Sequence, residues 1–135
     1  MSKPLAIVVD DDELLGEAYV QALQICGFTA RHIIDSTQAL TSISQGQPIV
    51  VVLDMQMPKL NGAQVLKSIR DHESTAGVKV IVATANHILL DDSIREMADL
   101  VLQKPVSMYQ IMEFARRMLR LHETSELSGV GDDQA

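Results

Sequence analysis

The stretch "IVVVLDMQMPKLNG", residues 49–62, decides how this chain folds. From Ile49 to Leu53 it is apolar and rich in β-branched residues. An unbroken run of that kind suits a strand buried on both faces, as in parallel sheets covered by helices. The run then ends on a charge, Asp54, and Pro58 and Gly62 turn the chain soon afterwards. A plain strand-to-turn boundary accounts for the turn residues. A reactive Asp54 accounts for an acid standing at the mouth of a buried strand.

The rest of the chain repeats the pattern. "LAIVV" (5–9), "TARHII" (29–34), "VKVIVA" (78–83) and "LVLQ" (100–103) are further short strand-like runs. Segments of helical period lie between them. Leu15, Ala18, Ala22 and Ile25 form one stripe, with Asp12 as N-cap. Ala39, Leu40 and Ile43 form a second, opened by Ser36 or Thr37, and Val65, Leu66 and Ile69 a third after Asn61-Gly62. Leu90, Ile94, Met97 and Ala98 form a fourth, and Met108, Ile111, Met112, Ala115, Met118 and Leu119 a fifth, capped by Ser107. Strands alternating with helices predict an α/β domain with a five-stranded parallel sheet, doubly wound, and five helices. Right-handed crossovers leave few ways to order those strands.

Composition narrows the function. A chain of 135 residues fits one domain, expected over 1–121, with 122–135 as a disordered acidic tail. Aromatic residues are 3% of the chain, so aliphatic packing dominates the core. A net charge of −7 argues against binding nucleic acid, which needs clustered Lys and Arg, and against docking on an anionic membrane. No apolar run approaches the roughly 20 residues of a membrane span. "MSKPLAIVVDDD" meets acids too early for a signal-peptide core. The lone Cys26 excludes an internal disulfide and reads as an inert core thiol of a cytoplasmic protein.

Ligands of open α/β sheets bind beyond the carboxyl ends of the strands. Asp10, Asp11, Asp12 and Glu13 follow the first strand, and Asp35 follows the second. Asp54 ends the third, Thr84 the fourth, and Lys104-Pro105 the fifth. Asp12 and Glu13 suit the positive start of a helix. Asp10, Asp11 and Asp54 would crowd like charges on one edge, and a proton or a cation must relieve them. Their carboxylates plus the main-chain carbonyl of Gln56 form a ligand set for Mg²⁺ or Mn²⁺. A carboxylate nucleophile beside such an ion suits phosphoryl transfer. Lys104 would neutralise phosphoryl oxygens, Thr84 would donate a hydrogen bond, and the small Ala85 would leave room.

"VVDDD" (8–12), "LDMQMPKLNG" (53–62), "VATA" (82–85) and "QKP" (103–105) together resemble the receiver domain of two-component response regulators, over residues 3–120. Each motif alone is weak, whereas four in order, one per strand end, are specific. The resemblance implies a flavodoxin-like fold with strand order 2-1-3-4-5. It implies that a sensor histidine kinase or a histidine phosphotransfer protein phosphorylates Asp54, and that Thr84 and Lys104 sense and clamp the phosphoryl group. It makes Gln56 and Asn86 the positions that set phosphoryl lifetime. Both are amides, so self-dephosphorylation is expected to be intermediate to moderately slow.

The sequence departs from the family's pattern at Val101, where many receivers carry an aromatic switch residue, and at Met97-Ala98-Asp99-Leu100, where many read Gly-Ala-Asp. Activation is then expected to run through "NHILLDD" (86–92), whose Ile88, Leu89 and Leu90 either bury or form a patch. That patch, on the face of helix 4, strand 5 and helix 5, would bind an effector or a second copy. Residues 121–135 are too few for an output domain, so a stand-alone signalling protein is expected, not an enzyme beyond self-phosphotransfer and autodephosphorylation. A phosphorelay intermediate or phosphate sink is one alternative. A metal-dependent phosphohydrolase is another, disfavoured by Gln56 where a second acid is usual; a non-phosphorylated interaction module is a third. Met55 and Met57 read as packing. His32, His72, His87 and His122 read as surface residues, with His87 nearest the site.

Overall fold

The computed structural model describes residues 3–86, 88 and 90–133; of Leu60 and residues 127–133 only the backbone is described. The elements follow in the order β1 (Leu5–Val9), α1 (Glu13–Cys26), β2 (Thr29–Ile33), a 3-10 turn (Ser36–Gln38), α2 (Ala39–Gly46), β3 (Val50–Asp54), β4 (Gln56–Met57), β5 (Leu60–Asn61), α3 (Gly62–Asp71), β6 (Lys79–Thr84), α4 (Asp92–Met97), β7 (Leu100–Gln103) and α5 (Met108–Asp133). Five strands form one parallel sheet in the order β2-β1-β3-β6-β7. This is the expected doubly wound, flavodoxin-like arrangement.

Strand periodicity sends alternate side chains to opposite faces. Ile7, Val9, Val51, Leu53, Val80 and Val82 pack with Ala39, Ile43, Val65, Leu66, Ile69 and Ile94, and so against α2, α3 and α4. Ala6, Val8, Val50, Val52, Ile81 and Leu102 pack with Tyr19, Leu23, Ile111 and Ala115, and so against α1 and α5. All five residues of β3 are buried. At roughly 1.5–3 kcal/mol for each large aliphatic side chain, this central strand anchors the sheet. None of the described helices is long and apolar enough to cross a membrane.

The α1 stripe differs from the expected one. Gly16, Tyr19, Val20, Ala22 and Leu23 are buried, whereas Ile25 is 69% exposed. Helix α1 carries apolar residues on most of its faces, and the bulkiest pair, Tyr19 and Leu23, takes the sheet. The α3 stripe of Val65, Leu66 and Ile69 is buried as expected, and Asn61 caps that helix by accepting from the Gln64 N–H at 3.2 Å. Between β3 and α3 the chain adds a small hairpin, β4–β5, across the turn Pro58-Lys59. Proline pre-sets φ for such a turn. Helix α5 runs through Asp133, so the helix does not break at residue 121; the His122–Glu126 pair at 3.2 Å lies one turn apart along it.

Arg70 fastens the lower part of the α3–α4 side. It donates to the carbonyls of Met97 (2.9 Å), Ala76 (3.0 Å) and Val78, and to Asp99 Oδ2 at 2.8 Å. Asp99 also accepts from the Val80 N–H at 2.8 Å. One guanidinium thus ties α3 to the end of α4 and the starts of β6 and β7.

Candidate phosphoacceptor site

The sheet register sets the site. Val9 is level with Leu53, Asp54 with Ala83, and Thr84 with Gln103. The residues following each strand therefore meet on one edge. Asp10, Asp54 and Thr84 are each at most 2% exposed there, while Asp11 is open to solvent.

The carboxylates lie together as expected, with one oxygen from each of Asp10, Asp11 and Asp54 within 4.8 Å of the others. Asp10 Oδ1 accepts from the Asp12 N–H at 2.9 Å, but Oδ2 is buried with no protein partner. Burial, and then the charge of Asp54, push the Asp10 carboxyl above its ordinary range against the pull of the Asp12 N–H. Asp12 instead caps α1, accepting from the Leu15 N–H at 3.0 Å. Asp54 Oδ1 accepts from the Gln56 N–H at 2.9 Å and lies 3.1 Å from Lys104 Nζ. The cation is held in place because the Lys104 N–H donates to the Thr84 carbonyl at 2.8 Å. The Lys104-Pro105 peptide is cis.

Three crowded acids with one cation leave an unsatisfied, oxygen-rich site. A buried carboxylate oxygen without a donor and a raised carboxyl are what a hard divalent cation would relieve. The donor set fits Mg²⁺.

On the other side of Asp54, the Gln56 side chain reaches across to β6. Its Oε1 accepts from the Ala85 N–H at 2.8 Å, and its Nε2 donates to Thr84 Oγ1 at 3.4 Å. Thr84 Oγ1 also accepts from the Asn86 N–H at 3.3 Å. Asn86 Oδ1 accepts from the Ile88 N–H at 3.1 Å, so this amide closes its own loop. Ala85 and Asn86 are exposed, which leaves the mouth open. An open cleft of about 630 Å³ starts here and is lined in part by Gln56, Thr84, Asn86, Leu90 and Ile94.

A family model of the response regulator receiver domain matches residues 6–116. The chain belongs to that family. It is 32% identical over 130 residues to the DNA-binding response regulator MtrA of Mycobacterium tuberculosis, covering 93% of this chain and 56% of MtrA. It therefore spans only about half the length of such curated relatives. In fold it resembles the signal receiver domain of a putative Luxo repressor protein from Vibrio parahaemolyticus, with a TM-score of 0.79, 23% identity, and coverage of 93% of this chain and 97% of that one. A CheY-like response regulator receiver domain protein from Methanospirillum hungatei also reaches 0.79, at 22% identity, covering 92% of this chain and 99% of that one.

Other features of this receiver domain qualify the sequence reading. Val101 is half-buried on β7, level with Val82, and packs against the α2–α4 core. Leu90 packs on the same core, whereas Ile88 is 75% exposed. His87 and Leu89 lie outside the described residues. Met57 is buried in the core, and Met55 packs against Gly62 so closely that a Cβ there would stand 2.6 Å from its sulfur. Both methionines are packing residues. Cys26 is half-buried, its thiol pushed up by burial, and Sγ lies 3.7 Å from the Met112 carbonyl.

His32 corrects the expectation that the histidines are plain surface residues. Its Nε2 donates to the main-chain carbonyl of Asp10 at 2.7 Å, and its ring lies against Gly16, where an added Cβ would stand 2.0 Å from it. The ring thus holds the backbone beside an acid of the site. The register, in which His32 is level with Val8, brings the two together. Gly16 inside an apolar helix was the one sequence sign of such a close neighbour.

Proposed function

We propose that this receiver domain takes a phosphoryl group onto Asp54, with Mg²⁺ or Mn²⁺ bound by Asp10, Asp11, Asp54 and the Gln56 main-chain carbonyl. One observation carries the reading: three carboxylates, a lysine and a threonine hydroxyl converge on one strand-end edge around the buried Asp54. A structural strand-end acid needs none of these companions.

The chemistry follows from the atoms present. Both donors to Asp54 fall on Oδ1, so Oδ2 is the nucleophile. It attacks the phosphorus of a phosphohistidine, the P–N bond breaks as the P–O bond forms, and the imidazole leaves and takes up a proton. Lys104 shifts from the carboxylate to the new phosphoryl oxygens, and the Thr84 hydroxyl donates to one of them. The ion supplies neutralisation of the oxygens' growing charge. Neither Gln56 nor Asn86 is a general base, so water attacks the acyl phosphate without one and the phosphorylated state persists long enough to signal.

The donor is a sensor histidine kinase or a histidine phosphotransfer protein, in the cytoplasm. The readout runs through the loop after Thr84 and the face of α4, β7 and α5, to an effector protein or a second copy, because Val101 is too small to swing as an aromatic does. Catalysis beyond phosphotransfer and autodephosphorylation is not assigned. These 135 residues, with a net charge of −7, are assigned no nucleic-acid contact. DNA binding as in the name of MtrA would fall to other residues of a longer chain.

Incubation with Mg²⁺ and acetyl phosphate, followed by intact-protein mass measurement, tests the reading. One phosphoryl adduct, absent from Asp54→Asn, is expected. Turnover of the donor without an adduct would favour a phosphohydrolase, and no reaction an interaction module.

A further inference from the structure

We infer that the Gln56 side chain is a latch: in the resting domain it occupies the Ala85 N–H that a phosphoryl group on Asp54 must take over, and it leans on the Thr84 hydroxyl oxygen beside it. This rests on phosphorylation of Asp54, proposed above, and goes beyond it by giving Gln56 a task before any hydrolysis.

Three contacts place the amide. Gln56 is fixed to Asp54 by its own N–H, 2.9 Å from Oδ1. From that anchor its side chain crosses to β6, where Oε1 takes the Ala85 N–H at 2.8 Å and Nε2 approaches Thr84 Oγ1 at 3.4 Å. The first is a good hydrogen bond and the second a long one, so the Ala85 bond is the main tie. Asp54 is level with Ala83, which makes Ala85 N–H the first main-chain donor beyond the end of the neighbouring strand. A neutral carboxamide oxygen, carried by the residue whose N–H holds Asp54, therefore takes the first backbone donor past the end of that neighbouring strand.

An aspartyl phosphate brings anionic oxygens into that space. Hydrogen bonds to ionised acceptors are roughly twice as strong as neutral ones. Ala85 N–H and the Thr84 hydroxyl then turn to the phosphoryl oxygens, and the Gln56 side chain is released into solvent, where its residue already is largely exposed. The exchange unties the β3–β4 loop from the segment after β6. Phosphorylation is thereby opposed by the cost of breaking the latch, and its release is a signal that needs no aromatic residue at position 101.

The test compares wild type with Gln56→Ala and with Gln56→Met, which fills similar volume without an amide. Two readouts are taken: the affinity for beryllofluoride with Mg²⁺, and hydrogen exchange of the Ala85 amide in the metal-free protein. Loss of one competing hydrogen bond should tighten beryllofluoride binding about 3- to 10-fold in both variants, and the metal-free Ala85 amide should exchange faster in both. Equal affinity, weaker affinity or an unchanged Ala85 amide in either variant overturns the latch. Equal affinity with a changed phosphoryl lifetime would make Gln56 a hydrolysis residue alone. If wild type binds no beryllofluoride and takes no phosphoryl group, the underlying reading fails. If wild type binds it and both variants bind it no more tightly than wild type, only the latch fails.

Discussion

At the β1–β3 end of the edge, each reactive acid is held by a neighbour close in sequence. Asp10 accepts from the Asp12 N–H and Asp54 from the Gln56 N–H, two residues on in both cases. At the β6–β7 end the groups are held by bonds that cross the chain: Ala85 to the Gln56 side chain, Lys104 to Asp54, and the Lys104 N–H to the Thr84 carbonyl. The first arrangement keeps repelling charges in place whether or not a ligand is present. In the second, the proposed latch would yield the Ala85 N–H, and Asp54 the Lys104 ammonium, to a better acceptor. One side of the site stores electrostatic stress, and the other reports its relief.

Asp10→Asn attacks the comparison most directly. It removes a desolvated charge while keeping an oxygen for the Asp12 N–H. Mg²⁺ affinity should fall at least tenfold, while the metal-free domain should gain about 1–3 kcal/mol; Mg²⁺ titration and urea unfolding in a chelator measure both. The same residue sets a pH dependence. Its carboxyl titrates higher folded than unfolded, so the folded state holds the proton more tightly. Stability of the metal-free domain should therefore fall as pH rises from the ordinary carboxylate range through the raised Asp10 value. That slope should disappear in Asp10→Asn, and a domain whose stability climbs over this window because of Asp10 would contradict the picture.

Gly16→Ala probes a long-range side-chain support of the acid side, the His32 ring on the Asp10 carbonyl. The methyl group must displace the His32 ring from the Asp10 carbonyl, at a cost of about 1–3 kcal/mol. In a double-mutant cycle with His32→Ala much of that cost should vanish; strict additivity would show that the ring does not mediate it. Tyr19→Phe should be neutral or stabilising by up to about 1 kcal/mol, since the Tyr19 hydroxyl is buried without a protein partner. The surrounding acids add to the burial that pushes its titration to about 12, visible as absorbance on alkaline titration. Asn86→Ala should be smallest, within about 0.5 kcal/mol by urea unfolding, because that exposed amide serves only its loop.

These two ends also differ in how much of them the sequence reveals. Asp10, Asp11, Asp54, Thr84 and Lys104 are legible because each stands at the end of a recognisable strand, and parallel pairing carries strand ends to one edge. The strands were plain from β-branched runs, and the α3 face from its period. What was hidden depends on register between distant segments. The reach of Gln56 to Ala85 needs β3 level with β6, and the grip of His32 on Asp10 needs β2 level with β1. Nothing in the period of α3 marks Arg70, whose guanidinium joins that helix to the end of α4 and the starts of β6 and β7. The buried face of α1 differs from the expected stripe because apolar residues cover most of that helix outside the side of Glu13, Glu17, Gln21 and Gln24, and the sheet takes the bulkiest of them. The β4–β5 hairpin escaped notice because two-residue strands have no periodicity.

The most direct measurement is to locate the phosphoryl group itself. The domain is loaded with acetyl phosphate and Mg²⁺, treated with borohydride, which reduces an aspartyl phosphate to homoserine, and digested with trypsin for sequencing by mass spectrometry. The account predicts homoserine at position 54, within the peptide His32–Lys59, and nowhere else. Reduction at Asp10 or Asp11 instead, or none after confirmed exposure to the donor, would contradict it.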